Sequence, residues 1–398
     1  MKKILISSFD MEVGGVERSL ISLLDKLDYK KYDIDLMLYM HKGEFMPLIN
    51  ENVNLLKKND IYSSFRKSIR ELISEGHFII ASTRILANFI SKAKGKLMGM
   101  NDCGYYQMQL MWKLALPFLD NINQEYDVAI SYLWPHYFIA EKVNSKKKIA
   151  WIHTDYSAIE TDIKMDLKVW NKFDYIIAVS EECKNSFLLK YPILAPKVIV
   201  IENIRSPIFI RNMSNESIEK DIFYNDKFNL LSVARFDYAK GIDNAIKALR
   251  LLHDKGMKNI VWNVVGYGIE EEKLKRIVKE NDLEDSFIFV GKKTNPYPYM
   301  KACDLYVQPS RFEGKAVTVT EAQILNKPII ITNYSTANSQ IKDGYDGYIC
   351  DMSIKGIAEA IELLYKNKEM RKSFINNCKN TNYSNDYELN KLYEIIES

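Results

Sequence analysis

Short runs of consecutive apolar residues alternate along this chain with stretches in which apolar residues return every third or fourth position. Residues 3 to 8 form the first run. After the loop FDMEVGG, the segment VERSLISLLDKL places Val16, Leu20, Leu23, Leu24 and Leu27 at helical spacing. Further strand-like runs lie at 32–40, 126–133, 147–157 and 197–204, and 173–191 reads as strand then helix with Ser180 as its N-cap. At residue 229 the rhythm restarts. NLLSVA predicts a strand, RFDYAKG a loop, and Ile242, Ala245, Ile246, Leu249 and Leu252 the inward face of a helix. NIVWNVVG, FIFVG, DLYVQPS and PIIITN predict further strands with helices among them, and beyond Ile354 the pattern is wholly helical. Strands alternating with helices predict a parallel sheet, so two such series predict an α/β chain of two Rossmann-like domains. The segment SPIFIRNMSNESIEKD shows no clear period and reads as the linker between them.

Residues 60 to 118 break the rhythm. Arg66, Lys67, Arg70, Arg84, Lys92, Lys94, Lys96 and Lys113 are interleaved with large apolar residues such as Phe65, Leu72, Phe78, Ile79, Leu86, Phe89, Met98 and Met100. Two or three basic amphipathic helices are predicted. The plain reading is helices covering the first sheet with a solvated basic face. The functional one is attachment to an anionic membrane surface or an acceptor-lipid groove.

Composition narrows the classes. A length of 398 residues favours two domains. A net charge of +3 gives no electrostatic case for nucleic acid. The five cysteines are scattered without a C-x-x-C pair or a histidine cluster, which suggests neither a zinc site nor a disulfide framework and fits a reducing cytoplasm. No run reaches the ~18 apolar residues of a membrane span.

Candidate chemistry gathers in the loops that follow strands. SRFEGKAVTVTEAQILNKPIIITN carries Glu313 on a loop and Glu321 one or two turns into a helix, too far round to share a face. Two carboxylates at the carboxyl end of a parallel sheet can accept hydrogen bonds from several hydroxyls. Arg235 and Lys240 sit in one loop and can converge on one anion, Arg as a fork and Lys as a point charge. Gly14 and Gly15 precede a helix whose N-terminus favours an anion. His153 ends the run AWIH. Asp33 and Asp35 resemble a D-x-D metal motif but read as the entry of a strand.

Three elements, Gly14-Gly15-Val16-Glu17, Arg235 with Lys240, and Glu313 with Glu321, occur in an order that resembles glycosyltransferase family 4, retaining enzymes of the GT-B fold. Lys315 stands where that family often has an aromatic or apolar residue. The resemblance implies an N-terminal acceptor domain over 1–205, a nucleotide-sugar domain over 206–380 and a helix over 381–398 that crosses back to the first, the two domains facing a cleft. It implies Glu313, His153, Arg235 and Lys240 as catalytic residues. Gly14, Gly15, Gly314, Lys315, Ala316 and Glu321 would join Arg235, Lys240 and Glu313 in binding the donor, and Glu17 would face the acceptor. The co-substrate would be a nucleotide sugar, with uridine diphosphate the commonest carrier, and no metal or other cofactor would be required. The acceptor would be a glycan or lipid-linked hydroxyl in surface polysaccharide synthesis, on the cytoplasmic side of the membrane. The rival readings are a GT-B sugar-nucleotide epimerase and a catalytically silent GT-B partner subunit.

Overall fold

The computed structural model describes residues 1–12, 14–97, 100, 103–154, 156, 159–218, 223, 226–313 and 316–398. The expectations placed on Gly314, Lys315 and Met98, and on the side chains of Arg66 and Lys96, lie outside the described residues. The chain forms two compact units, one of Met1–Arg205 with Asn385–Ser398, the other of Ser206–Ser384.

The first unit holds a parallel sheet of seven strands: β1 (Lys2–Ser8), β2 (Tyr32–Leu38), β3 (Asn54–Leu55), β4 (Ile122–Ser131), β5 (Val143–Ile152), β6 (Tyr175–Ala178) and β7 (Val198–Val200). Their order is β3-β2-β1-β4-β5-β6-β7, so the winding reverses between β1 and β4. Near-continuous apolar runs such as Ile4–Ile6 and Ile149–Ile152 are buried because helices cover both faces of a parallel sheet. Asp35 is fully buried in β2, where it accepts hydrogen bonds from the Tyr126 hydroxyl (2.7 Å) and Asn54 Nδ2 (2.6 Å). The C-terminal helix Tyr387–Glu397 belongs to this unit. It buries Leu389, Leu392, Ile395 and Ile396, stacks Tyr393 on Tyr32 at 5.4 Å, and accepts the Tyr32 hydroxyl on Glu397 at 2.8 Å.

The basic segment is four helices, Asp60–Ser63, Ile69–Ser74, Phe78–Leu97 and Gly104–Ala115, where two or three are expected. The extra ones are short, and Ser68 with Glu71 closes a capping box at the start of the second. The 20-residue helix Phe78–Leu97 is turned against its pattern. Ile80, Thr83, Ala87 and Ser91 face inward, while Phe78 (62% exposed), Phe89 (73%), Ile79, Ile85 and Leu86 form one exposed stripe.

The second unit holds a parallel six-stranded sheet: β8 (Phe228–Val233), β9 (Ile260–Val265), β10 (Phe287–Gly291), β11 (Leu305–Gln308), β12 (Ile329–Thr332) and β13 (Tyr348–Cys350). The order β10-β9-β8-β11-β12-β13 reverses between β8 and β11. The segment expected as a linker begins instead with the helix Pro207–Met213, which packs into this unit. Its Ser206 hydroxyl accepts from Phe209 N, Phe209, Ile210 and Met213 are buried, and Arg211 Nε donates to Ile324 O at 3.4 Å. Seven residues are too few to show a period, whereas the Ser-Pro start is an N-cap followed by proline at the first helical position.

Candidate functional site

The loops that leave β8 and β11 emerge side by side where the second sheet reverses, the crevice in which open α/β sheets bind ligands. Arg311 fastens one loop to the other. Its backbone N–H donates to Ala239 O (2.7 Å), and its guanidinium makes a bidentate pair with Asp243 (2.8 and 2.7 Å). The same guanidinium donates to Tyr238 O and stacks 4.3 Å from the Tyr238 ring. Gly241 has φ 65°, and a Cβ there would lie 2.1 Å from Pro309 O. Both the left-handed backbone and the close approach demand glycine.

This fastening brings Lys240 onto Glu313. The ammonium donates to both carboxylate oxygens at 2.8 Å. Glu313 Oε1 also accepts from Ser310 Oγ (2.7 Å) and Gln308 Nε2 (3.0 Å). The Glu313 side chain is 7% exposed and that of Lys240 25%. Sequence reasoning assigns these two residues to different parts of a donor, yet here they form one ion pair. Gln308 is itself fixed by the hydroxyls of Tyr306 (2.8 Å) and Thr318 (3.2 Å), both donating to its Oε1. Tyr334 is buried, and its hydroxyl finds no hydrogen-bond partner among the described residues. Burial, and then the Glu313 charge, hold its phenol far above the ordinary range.

Arg235 lies on the same loop as Lys240 and is exposed; no carboxylate among the described residues pairs with it. Glu321 sits on the helix Val317–Ile324, is buried, and accepts the Tyr297 hydroxyl at 2.8 Å. Ala316 donates its backbone N–H to Gln340 Oε1 at 3.0 Å. Gln308, Ser310, Arg311, Tyr297 and Tyr334 have no place in the sequence reading. The first three stand immediately before Glu313 in QPSRFEG, which is the signal that was available.

In the first unit, Gly14 caps the helix Gly15–Lys26. Glu17 folds back over it: its Oε2 lies 2.1 Å from the point a Gly14 Cβ would occupy, so glycine makes room for the carboxylate. Among the described residues, no side chain or backbone beyond its own helix and chain neighbours stands within 4 Å of a Cβ built on Gly15. His153 follows β5. The residue is half-buried, but its Nε2 is sealed and has no hydrogen-bond partner among the described residues. Its ring lies 4.7 Å from that of Tyr132 and 6.3 Å from that of Trp151. Burial pushes the imidazole down to about 3, against a hydrogen bond to the Tyr132 main chain that favours the charged form. His136, fully enclosed and bonded through Nδ1 to Ser131 Oγ at 2.8 Å, is pushed down to about 3 by burial and then by His153. Both rings are neutral at pH 7. Among the described residues no group of three or more His, Cys, Asp or Glu is placed to hold a metal ion.

Residues 213–381, which make up most of the second unit, match the family model described as glycosyl transferases group 1. The chain is 26% identical over 408 aligned residues to an uncharacterized glycosyltransferase of Haemophilus influenzae, covering 99% of this chain and 98% of the relative. It is 29% identical over 269 residues to the uncharacterized glycosyltransferase MJ1069 of Methanocaldococcus jannaschii, covering 61% and 66%. A Campylobacter jejuni N-acetylgalactosamine-N,N'-diacetylbacillosaminyl-diphospho-undecaprenol 4-alpha-N-acetylgalactosaminyltransferase is 24% identical over 213 residues, 53% of this chain and 56% of that one. Among solved structures, a Staphylococcus aureus TarM variant in complex with fondaparinux, alpha-GlcNAc-glycerol and UDP gives a TM-score of 0.66 at 16% identity, covering 100% of both chains. Anabaena HepE in complex with UDP and glucose gives 0.61 at 16% identity, again with full coverage of both. These likenesses establish a GT-B fold built from two Rossmann-like units.

Proposed function

We propose that this chain is a retaining glycosyltransferase that moves a sugar from a uridine diphosphate sugar to a hydroxyl of a glycan or lipid-linked acceptor in surface polysaccharide synthesis. The observation that carries the reading is the Lys240–Glu313 pair at the reversal of the second sheet, with the exposed Arg235, which no described carboxylate pairs, on the same loop. A nucleotide-diphosphate donor brings the anionic partner that these two cations can share. The sugar brings hydroxyls for Glu313, and the ribose brings hydroxyls for Glu321, which Tyr297 already holds in place. Uridine is favoured because TarM and HepE were both solved with UDP. A lipid-linked acceptor is favoured by the diphospho-undecaprenol in the name of the Campylobacter relative.

In the reaction, the acceptor oxygen forms a bond to the anomeric carbon as the bond from that carbon to the diphosphate breaks. The acceptor proton passes to the departing phosphate oxygen. Arg235 and Lys240 stabilise the charge that develops there, an electrostatic role that asks for no metal. His153, with its ring neutral at pH 7, is kept in this reading as a residue near the substrate that carries no charge. The exposed stripe of the helix Phe78–Leu97, flanked by the exposed Lys92 and Lys94, supports docking on an anionic membrane surface. No described helix is long and apolar enough to cross a membrane.

Calorimetric titration with UDP and GDP tests the donor site. Arg235→Ala should weaken the preferred diphosphate by about 1.5–3 kcal/mol, the scale of a charge-assisted bond. NMR of the product should show the donor's anomeric configuration. Undiminished affinity for every nucleotide diphosphate would remove Arg235 from the site, and an inverted product would refute retention.

A further inference from the structure

The first unit contains a cavity of about 250 Å³ that His153 helps to line and that none of Arg235, Lys240, Glu313 and Glu321 lines. It lies at the carboxyl ends of β1, β4 and β5, astride the reversal of the first sheet. Phe9 follows β1, Leu133 and Trp134 follow β4, and Trp151, Ile152 and His153 come from the end of β5. The opposite wall is built by the basic segment, which lies outside the residues matched by the family model. Phe65 contributes to it, and the helix Gly104–Ala115 presents Tyr105, Met108, Met111 and Trp112 at one-turn intervals along one face.

The lining decides what fits. None of the described lining residues is a Lys, Arg, Asp or Glu, so a phosphate would enter without a counter-charge. A bare sugar ring would bury several hydroxyls against aromatic and methionine side chains that offer them few partners. Hydrocarbon meets no such penalty. Most of the lining is apolar, so a hydrocarbon guest gains by leaving water there. Methionine adapts to irregular chains. The helix that supplies the four wall residues also packs against Phe78–Leu97, the helix that turns its large apolar side chains outward.

We propose that this cavity takes the hydrocarbon chain of the acceptor's lipid anchor, so that the acceptor is recognised by its lipid as well as by its sugar. The proposal rests on the lipid-linked acceptor reading above and narrows it to one place.

Tryptophan emission gives the test, because three of the five tryptophans (Trp112, Trp134 and Trp151) line the cavity. Farnesyl phosphate, decyl phosphate and inorganic phosphate are titrated into the full chain. A saturable change with farnesyl phosphate identifies an isoprenoid chain, one with decyl phosphate a straight chain, and inorganic phosphate should give none. Met108→Phe combined with Met111→Phe narrows the cavity with two stiff rings in place of adaptable chains and should weaken chain binding by about tenfold or more, whereas Met108→Leu, nearly equal in volume, should stay within about twofold. UDP affinity, measured in parallel, should be unchanged in all variants. No saturable response to either chain, a response equalled by inorganic phosphate, or one that survives the double substitution overturns the proposal. Absence of UDP binding in the unaltered protein would instead strike the donor reading and leave this result standing.

Discussion

The Lys240–Glu313 pair makes an asymmetric prediction about its two halves. Lys240 has 25% of its side chain exposed and can turn to water when its partner loses charge. Glu313, at 7%, cannot. Without Lys240 it keeps two neutral donors, Ser310 Oγ and Gln308 Nε2, both on Oε1. A surface pair is worth about 0–1 kcal/mol, and breaking a buried one costs about 3–5. This pair lies between those limits. Lys240→Met should therefore cost about 2–3 kcal/mol and Glu313→Gln about 1, with an interaction energy of about 1–2 kcal/mol in the double-mutant cycle. Urea unfolding followed by a probe in the second unit gives the stabilities. Titration of UDP gives the ligand side of the same cycle. Glu313→Gln frees Lys240 from its carboxylate, so UDP affinity should hold or rise while turnover with donor and acceptor falls. Lys240→Met should lose affinity. Equal stability costs for the two single variants, or an interaction energy indistinguishable from zero, would refute the asymmetry. A fall in UDP affinity in Glu313→Gln would refute the competition between carboxylate and diphosphate.

Two further outcomes follow from single positions. His136 titrates at about 3 when folded and about 6.5 when unfolded. The unfolded state therefore takes up the proton first, and stability held above pH 6.5 is lost at up to about 1.4 kcal/mol per pH unit as pH falls toward 3. His136→Asn should flatten the fall in urea midpoint from pH 7 to pH 5, and an unaltered pH dependence would show that this ring does not contribute. Gly241→Ala meets both a positive φ and the Pro309 carbonyl, and should cost about 2 kcal/mol or more in thermal or urea unfolding together with nucleotide affinity, because the loop that carries Lys240 must shift.

What the sequence shows plainly is what neighbours in the chain determine together. Strands such as Ile329–Thr332 are consecutive apolar residues, and helices such as Ile242–Asp254 carry their period over three turns, so both are legible. The helix Pro207–Met213 and the three-residue strand Tyr348–Cys350 are too short to carry a period. Glu313, Glu321, Arg235 and Lys240 stand out by residue type and by their places after strands. That Lys240 and Glu313 grip each other does not, because they are 73 residues apart and meet only through the adjacency of β8 and β11 and the Arg311 fastening. The inverted helix Phe78–Leu97 was half legible. Its mixture of basic and apolar residues was visible, but which side faces inward depends on the small residues Thr83, Ala87 and Ser91 fitting beneath it.

The last helix has a consequence for biosynthesis. Residues 385–398 complete a unit whose other residues, 1–205, precede the whole of the second unit in the chain. Domains ordinarily fold in the order of their synthesis. Here the opening unit must wait, with Tyr32 and the apolar edge beneath Leu392 and Ile396 still uncovered, while all of the second unit is translated. The part begun first is finished last. A stop codon placed after residue 384 would thus damage the sheet of the first unit and leave the second unit, already closed, intact.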